Sequence, residues 1–193
     1  MAEFRLRTER LVLRTEIEGD QAIWRAHMNT PEVMARLGGP RTDEEVAASF
    51  AKMRAAADAG EPTFHCVERA SDGALIGKCG LAVIDSGAAP ARLQGQVQAG
   101  WSLRADCWGQ GYAREAAEAM IDHGFAHFGL EAVYAQTSQS NVPSWRLMQK
   151  LGMERMGELD YADPDYPPED NPTMVWGISR AAWAAHKIQG ENA

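Results

Sequence analysis

Between Gln96 and Phe128 the apolar period of this chain changes from two to 3.6 across a turn holding two glycines. Gln96 to Leu103 alternates like a strand. Ala113, Ala116, Ala117, Met120, Ile121, Phe125 and Phe128 then follow at helical spacing, to about Gly129. The joint is Trp108-Gly109-Gln110-Gly111-Tyr112-Ala113-Arg114-Glu115. A strand feeding such a helix constrains the chain to a sheet with covering helices, and the small residues at the helix start let it lie close to that sheet. Glycines at the joint let backbone approach a ligand without a Cβ in the way. The first helical turn carries N–H groups that lack intrahelical acceptors, at the positive end of the helix dipole. That combination suits a phosphate-bearing ligand held by backbone. The same string also reads as a tight turn before a helix. A Rossmann fingerprint fails at Arg114, where a small residue is required, and no Gly-Lys-Ser/Thr follows to complete a P-loop.

The 193 residues suit one domain over 1–193 with a sizeable core, its end (188–193) expected to fray. The hydrophobic fraction is 45% and no apolar run nears the ~20 residues of a membrane span, so no membrane is expected as partner. The N-terminus enters a strand pattern without a signal peptide. Cys66, Cys79 and Cys107 are widely spaced, odd in number and fit neither a metal site nor a disulfide framework, which points to the cytoplasm. Cys107 lies near the glycine turn, but no activating His accompanies it. A net charge of −8 argues against nucleic acid and agrees with a cationic amine or basic protein as partner.

Along the chain, Phe4 to Arg14 reads as one strand. A helix is predicted from Asp20 to Leu37, interrupted at Thr30-Pro31, and another from Thr42 to Gly60, with Thr42 and Glu45 at capping-box spacing. Thr63–Arg69 and Ala74–Ile84 read as a hairpin around Ser71-Asp72-Gly73. Gly100 marks a bulge or a close backbone approach within its strand. Ala132–Thr137 is predicted as a strand, Pro143–Leu151 as a helix ended by Gly152, Met153–Leu159 and Met174–Ile178 as strands, and Ala181–Ile188 as a helix. The order is that of a mixed α/β domain, α+β in character, with one large sheet.

A second segment, Asn141-Val-Pro-Ser144-Trp-Arg-Leu147-Met-Gln-Lys150-Leu-Gly152, follows the Ala132 strand. With Leu6-Arg-Thr8-Glu-Arg10-Leu-Val-Leu-Arg14, and Trp101-Ser-Leu103 followed by Trp108-Gly-Gln-Gly-Tyr-Ala, it gives three motifs in order over nearly the whole chain. Together they resemble the GNAT superfamily of acyl-CoA-dependent N-acyltransferases, in its RimJ/RimL-type branch. The resemblance implies a single mixed, mostly antiparallel, twisted sheet with helices on both faces and a splayed central strand pair. It implies acetyl-CoA as co-substrate without a metal, and a primary amine as acceptor, either a protein N-terminus or a small molecule. A homodimer is common among enzymes of this type. The N–H groups of Gly109, Gln110, Gly111, Tyr112 and Ala113, with Trp108 and Arg114 beside them, would cradle the CoA pyrophosphate. The backbone of Trp101, Ser102 and Leu103 would pair with the pantetheine arm, an N–H at Leu103 would bond the thioester carbonyl, Asn141 would contact pantetheine, and Ser144 would protonate the departing thiolate. The branch often places a catalytic Glu where this chain has Gln98, which can only position water. That leaves the base to a water chain or to a loop carboxylate such as Asp160, Asp163 or Asp165. It also motivates the alternative of a non-catalytic acyl-CoA sensor. A nucleotide-binding protein with a different cofactor, such as NAD or ATP, is the third reading.

Several residues carry two readings. Ser144 and Asn141 fit a helix start and cap as well as a site. Glu115 fits a structural carboxylate better than a base, and Lys150 a solvent-facing residue. Arg114 and Arg146 suit CoA phosphates or surface pairs. His123 and His127, four apart on a helix, lack a third metal ligand. Trp24, His27 and Trp145 suit core or a substrate pocket. The Asp160–Pro172 loop, with five carboxylates and two tyrosines, reads as a solvated connection or as an acidic rim that attracts a cationic amine.

Overall fold

The chain's opening segment turns back on itself. In the computed structural model, which describes residues 3–164 and 166–191, the expected first strand is a hairpin of β1 (Arg5–Arg7) and β2 (Leu11–Arg14). The turn is made locally. Thr8 N–H donates to the Leu11 carbonyl at 3.0 Å, and Leu11 N–H to Thr8 Oγ1 at 3.0 Å. Side-chain bonding of this kind offers the backbone an alternative to a continuous ladder.

Three helices follow: α1 (Asp20–His27), α2 (Pro31–Met34) and α3 (Asp43–Ala59). Thr30 caps α2, with Pro31 as its first residue, and Thr42 and Glu45 form the expected capping box of α3. β3 (Phe64–Arg69) and β4 (Leu75–Val83) form the expected hairpin, and β5 (Val97–Leu103) leads through a 3-10 turn to α4 (Tyr112–His127). β6 (Ala132–Ser138), α5 (Val142–Lys150), the short β7 (Glu154–Arg155), β8 (Thr173–Ser179) and α6 (Arg180–Glu191) complete the order. The strand expected over Met153–Leu159 shrinks to β7, and Gly157–Leu159 closes as a 3-10 turn.

The eight strands form one sheet in the order β1-β2-β3-β4-β5-β6-β8-β7. The assigned pairings are antiparallel except for β5 with β6, which run parallel. β5 and β6 are registered at the single pair Gln98–Tyr134, whereas β6 and β8 are registered from Ala132–Ser179 to Ser138–Thr173. The sheet is mixed and mostly antiparallel, as the resemblance implied.

Contacts group the chain into two units, Met1–Leu81 with Gly100–Met120, and Ala82–Ala99 with Ile121–Ala193. In the first, α1, α2 and α3 bury Trp24, Met28, Met34, Val46 and Phe50 together with Cys66 and Leu75 of the sheet. Arg14 is buried here with Asp20 at 2.6 Å and Glu68 at 2.8 Å. Lys78 is also buried, its ammonium 3.4 Å from the Phe50 ring centroid and 4.9 Å from that of Trp24. In the second unit, Ile84, Ala89, Leu93, Leu159 and Val175 form the core. There Trp183 of α6 donates its indole N–H to Asp122 of α4 at 2.7 Å. Among the described residues no helix is long and apolar enough to cross a membrane.

Candidate functional site

In the first unit the strand-to-helix joint is built as a set of outward amides. Gly109 and Gly111 adopt φ +72° and +83°, a region that L side chains seldom enter. Glu115 N–H makes a helical bond back to the Gly111 carbonyl, so α4 starts there. The amides from Gly109 to Arg114 have no protein acceptor among the described residues. They stand at the positive end of a 16-residue helix.

The joint is fastened to the N-terminal hairpin. Arg10 donates from Nη1 to the Gln110 carbonyl at 2.9 Å and from Nε to Glu115 at 2.7 Å. Glu115 also accepts from Arg10 N–H at 2.8 Å and from Thr8 Oγ1 at 2.5 Å. Burial pushes the Glu115 carboxyl up, but the Thr8 and Arg10 donors outweigh it and hold the group below its usual range. Glu115 is thus the structural carboxylate expected, although its ties to Thr8 and Arg10 carried no sequence signal. Gln110 is held further by Nε2 donating to the Asp106 carbonyl at 2.8 Å. Arg114 is paired with Glu118 at 2.8 Å.

The end of β5 shows which of its groups stay outward. Arg104 N–H donates to the Ile76 carbonyl of β4 at 2.9 Å. Alternation then turns the N–H and carbonyl of Leu103 to the opposite edge of β5. There the Leu103 carbonyl accepts the indole N–H of Trp108 at 2.9 Å. Leu103 is buried, Trp101 and Ser102 are half-buried, and Trp108 is exposed. Gly100 meets the close-approach expectation, because a Cβ there would stand 2.7 Å from Phe64 Cζ. A cavity of about 520 Å³ adjoins this segment, lined by His27, Pro31, Glu32, Arg104 and Asp106 among others. His27 is therefore at a pocket, while Trp24 is core. Burial pushes the Cys107 thiol up, with Asp106 adding to the effect, which is the reverse of an activated nucleophile.

In the second unit, Asn141 begins α5 but its side chain makes no capping bond. Neither the Asn141 amide nor the Ser144 hydroxyl has a protein partner among the described residues, so the capping reading of Asn141 fails. The backbone alone closes this turn, with Asn141 N–H on the Ser138 carbonyl at 3.1 Å and Ser144 N–H on the Asn141 carbonyl at 3.1 Å. Gln98 is half-buried and opposite Tyr134. Trp145 donates to the Gln139 carbonyl at 3.2 Å and carries Arg146 over its ring, while Lys150 is exposed. His123 and His127 stack at 4.8 Å between ring centroids.

In the acidic loop three carboxylates are held by protein donors. Asp160 is in an ion pair with Arg155 and accepts Val175 N–H at 3.0 Å. Asp163 is buried and accepts from Ser86 at 3.3 Å. Asp170, never singled out as a base, is buried and accepts from Ser140 Oγ at 2.7 Å. Tyr161 donates to Gln136 Oε1 at 2.5 Å, and burial pushes its phenol up to about 12. Asp165 lies outside the described residues. Three of the five carboxylates face inward because hydroxyl, amide and guanidinium donors reach them there.

A mixed sheet with a glycine joint that presents helix-start amides suits a phosphate-bearing co-substrate, and the sequence comparisons give the class of enzyme as an acyltransferase. Residues 10–154 match the acetyltransferase (GNAT) domain, and the chain belongs to that family. It is 30% identical over 160 residues to the uncharacterized N-acetyltransferase p20 of Bacillus licheniformis, covering 81% of this chain and 86% of that protein. It is 27% identical over 158 residues to the FsC-acetyl coenzyme A-N(2)-transacetylase of Aspergillus fumigatus, covering 79% and 66%. An acetyltransferase of Agrobacterium tumefaciens has the same fold, with TM-score 0.75 at 23% identity over 93% of this chain and 96% of that one.

Proposed function

We propose that this enzyme is a single-domain, RimJ/RimL-type N-acetyltransferase that moves an acetyl group from acetyl-CoA to a primary amine by direct attack. One observation carries the reading: the acceptor-free amides of Gly109 to Arg114, fixed by Arg10 and Glu115, suit a pyrophosphate. Trp108 and Arg114 flank them. Trp101, Ser102 and Leu103 offer backbone to a pantetheine arm, and the outward N–H of Leu103 would stabilise the oxyanion as it forms. Asn141 would hold the arm. Ser144, with no protein partner among the described residues, would give its proton to the departing thiolate. Gln98 would position water. The three free, buried cysteines suit a reducing cytoplasm. The acceptor attacks as a free base, which favours an α-amino group near ~8 over a lysine near ~10.4. A peptide N-terminus or a small-molecule amine meets that demand, and homodimerisation is the assembly to check by light scattering.

The test is thiol release from acetyl-CoA with peptides, polyamines, aminoglycosides and amino acids, with calorimetric CoA binding beside it. Turnover with one amine class supports the reading. Tight CoA binding without turnover favours the acyl-CoA sensor that Gln98 motivates, and no CoA binding overturns both.

A further inference from the structure

The residue at Gln98 cannot take a proton, so the acceptor amine needs another sink. Asp170 is buried at 5% exposure, yet no lysine, arginine or histidine pairs with it among the described residues. Its recorded side-chain donor is the Ser140 hydroxyl at 2.7 Å. A buried carboxylate met by one neutral hydroxyl is an expensive arrangement.

The hydroxyls give this group a direction. Ser138 and Ser140 are 3.0 Å apart, Oγ to Oγ. Ser140 has one hydroxyl proton and spends it on Asp170, so Ser138 must be the donor to Ser140. The chain therefore runs Ser138 to Ser140 to Asp170, and Ser138 Oγ keeps its lone pairs to accept a proton at the other end. That end lies on the turn that presents Asn141 and Ser144, because Asn141 N–H is bonded to the Ser138 carbonyl. Ser138, Gln136 and Tyr134 share one face of β6, and Gln136 Nε2 there is buried without a partner. The other titratable groups nearby are already committed: Asp160 to Arg155, Asp163 to Ser86 and Tyr161 to Gln136. On α5, Arg146 lies over Trp145 and Lys150 is exposed.

We propose that Asp170, acting through Ser140 and Ser138, is the positioning residue that receives the acceptor's proton. The inference rests on the acetyltransferase reading above. As the amine nitrogen bonds the acetyl carbon, its proton passes to Ser138 Oγ. The Ser138 proton moves to Ser140 and the Ser140 proton to Asp170, leaving both serines neutral and Asp170 a carboxylic acid. The C–S bond breaks with its electron pair on sulfur, which takes a proton from Ser144 as Ser144 takes one from water. Asp170 returns its proton to water before the next turnover.

The experiment compares wild type with Asp170→Asn, Ser140→Ala, Ser140→Thr and the Asp170→Asn/Ser140→Ala pair. It measures thiol release from pH 5.5 to 9.5, CoA binding by calorimetry, and Tm. Asp170→Asn keeps an acceptor for Ser140 but cannot take a proton. It should lower kcat roughly a hundredfold with the KM for the amine little changed, and leave CoA affinity within about twofold. The pair should be no slower than the worse single variant, as members of one unit are. Ser140→Thr should restore most of what Ser140→Ala loses. An unchanged kcat in Asp170→Asn overturns the relay. So does a loss that follows Tm and CoA affinity and that Ser140→Thr does not recover, which marks a structural role. A wild type that binds CoA but acetylates no amine overturns the acetyltransferase reading instead, and the relay with it.

Discussion

Arg10 meets Glu115 twice, through its backbone N–H at 2.8 Å and its guanidinium Nε at 2.7 Å, and so ties the first hairpin to the start of α4. The Arg10 side chain is 44% exposed and that of Glu115 16%. The ion pair itself is therefore worth no more than about 1 kcal/mol. The three donors converging on one partly buried carboxylate matter more. Glu115→Ala should cost about 1–3 kcal/mol by stranding Thr8 and the Arg10 N–H. The sign of its pH dependence follows from the lowered pKa. A carboxyl held below its unfolded value near ~4.3 contributes above that pH, and the contribution fades as pH falls through the folded value. Urea melts of wild type and Glu115→Ala should differ at pH 7 and draw together as pH falls below the unfolded value of about 4.3. An equal gap at pH 3 and pH 7 would remove the ionised carboxylate from the account.

That tie also marks the boundary of what was legible in the amino-acid string. Local signals survived: the Thr42–Glu45 box, the Ser71-Asp72-Gly73 turn, and the apolar spacing from Ala113 to Phe125 all act within a few residues. The N-terminal hairpin was missed because Leu6, Leu11 and Leu13 keep the look of a single strand, while the Thr8 hydroxyl that closes the turn leaves no periodic trace. The Asp160–Pro172 loop misled for a different reason. Its composition describes solvated chain, but Ser140, thirty residues upstream of Asp170, supplies a buried donor that composition cannot reveal. The site turns on either side of β6 were readable as motifs, and their fastenings to distant residues were not.

Gly111 is where backbone conformation and ligand approach coincide. At φ +83° a side chain costs about 1–2 kcal/mol, and more when β-branched. A Cβ would also stand 3.2 Å from Arg10 Nη2, disturbing the residue that holds Gln110. Gly111→Val should raise the CoA Kd about tenfold or more, the equivalent of ~1.4 kcal/mol. Gly60, at φ +71° after α3 with nothing within 4 Å, supplies the control. Gly60→Val should lose stability while keeping CoA affinity. Equal CoA affinities in wild type and Gly111→Val would contradict the cradle.

Ser144 offers an unusually clean substitution. Its hydroxyl has no protein partner among the described residues and its amide is already bonded to Asn141, so Ser144→Ala leaves α5 intact. Stability should stay within about 0.5 kcal/mol of wild type. If Ser144 protonates the leaving thiolate, kcat should fall roughly a hundredfold with CoA affinity unaltered. Stopped-time thiol assays at saturating acetyl-CoA decide the point, and a kcat equal to wild type removes Ser144 from the chemistry.

Lys78 carries the last prediction, which concerns stability alone. Burial pushes its ammonium down to about 8, from an ordinary value near ~10.4, while the rings of Phe50 and Trp24 offer it a partly compensating surface. Between those two pH values the unfolded chain binds more proton than the folded one, so the contribution of this group to stability rises with pH. Below about 8 the charged amine is buried at full cost, a difference equivalent to about 3 kcal/mol. Met has a similar unbranched length and no charge. Lys78→Met should therefore stabilise the protein at pH 7 by about 1–3 kcal/mol, with the loss of the ring–cation contacts setting the lower end. The advantage should shrink steadily as pH is raised from 8 to 10.5, above which the wild-type amine becomes neutral in both states. Denaturant midpoints of the two proteins across that range test it. A variant less stable than wild type at pH 7, by the same margin at pH 10, would mean that the contacts of Lys78 with Phe50 and Trp24 outweigh the cost of burying its charge.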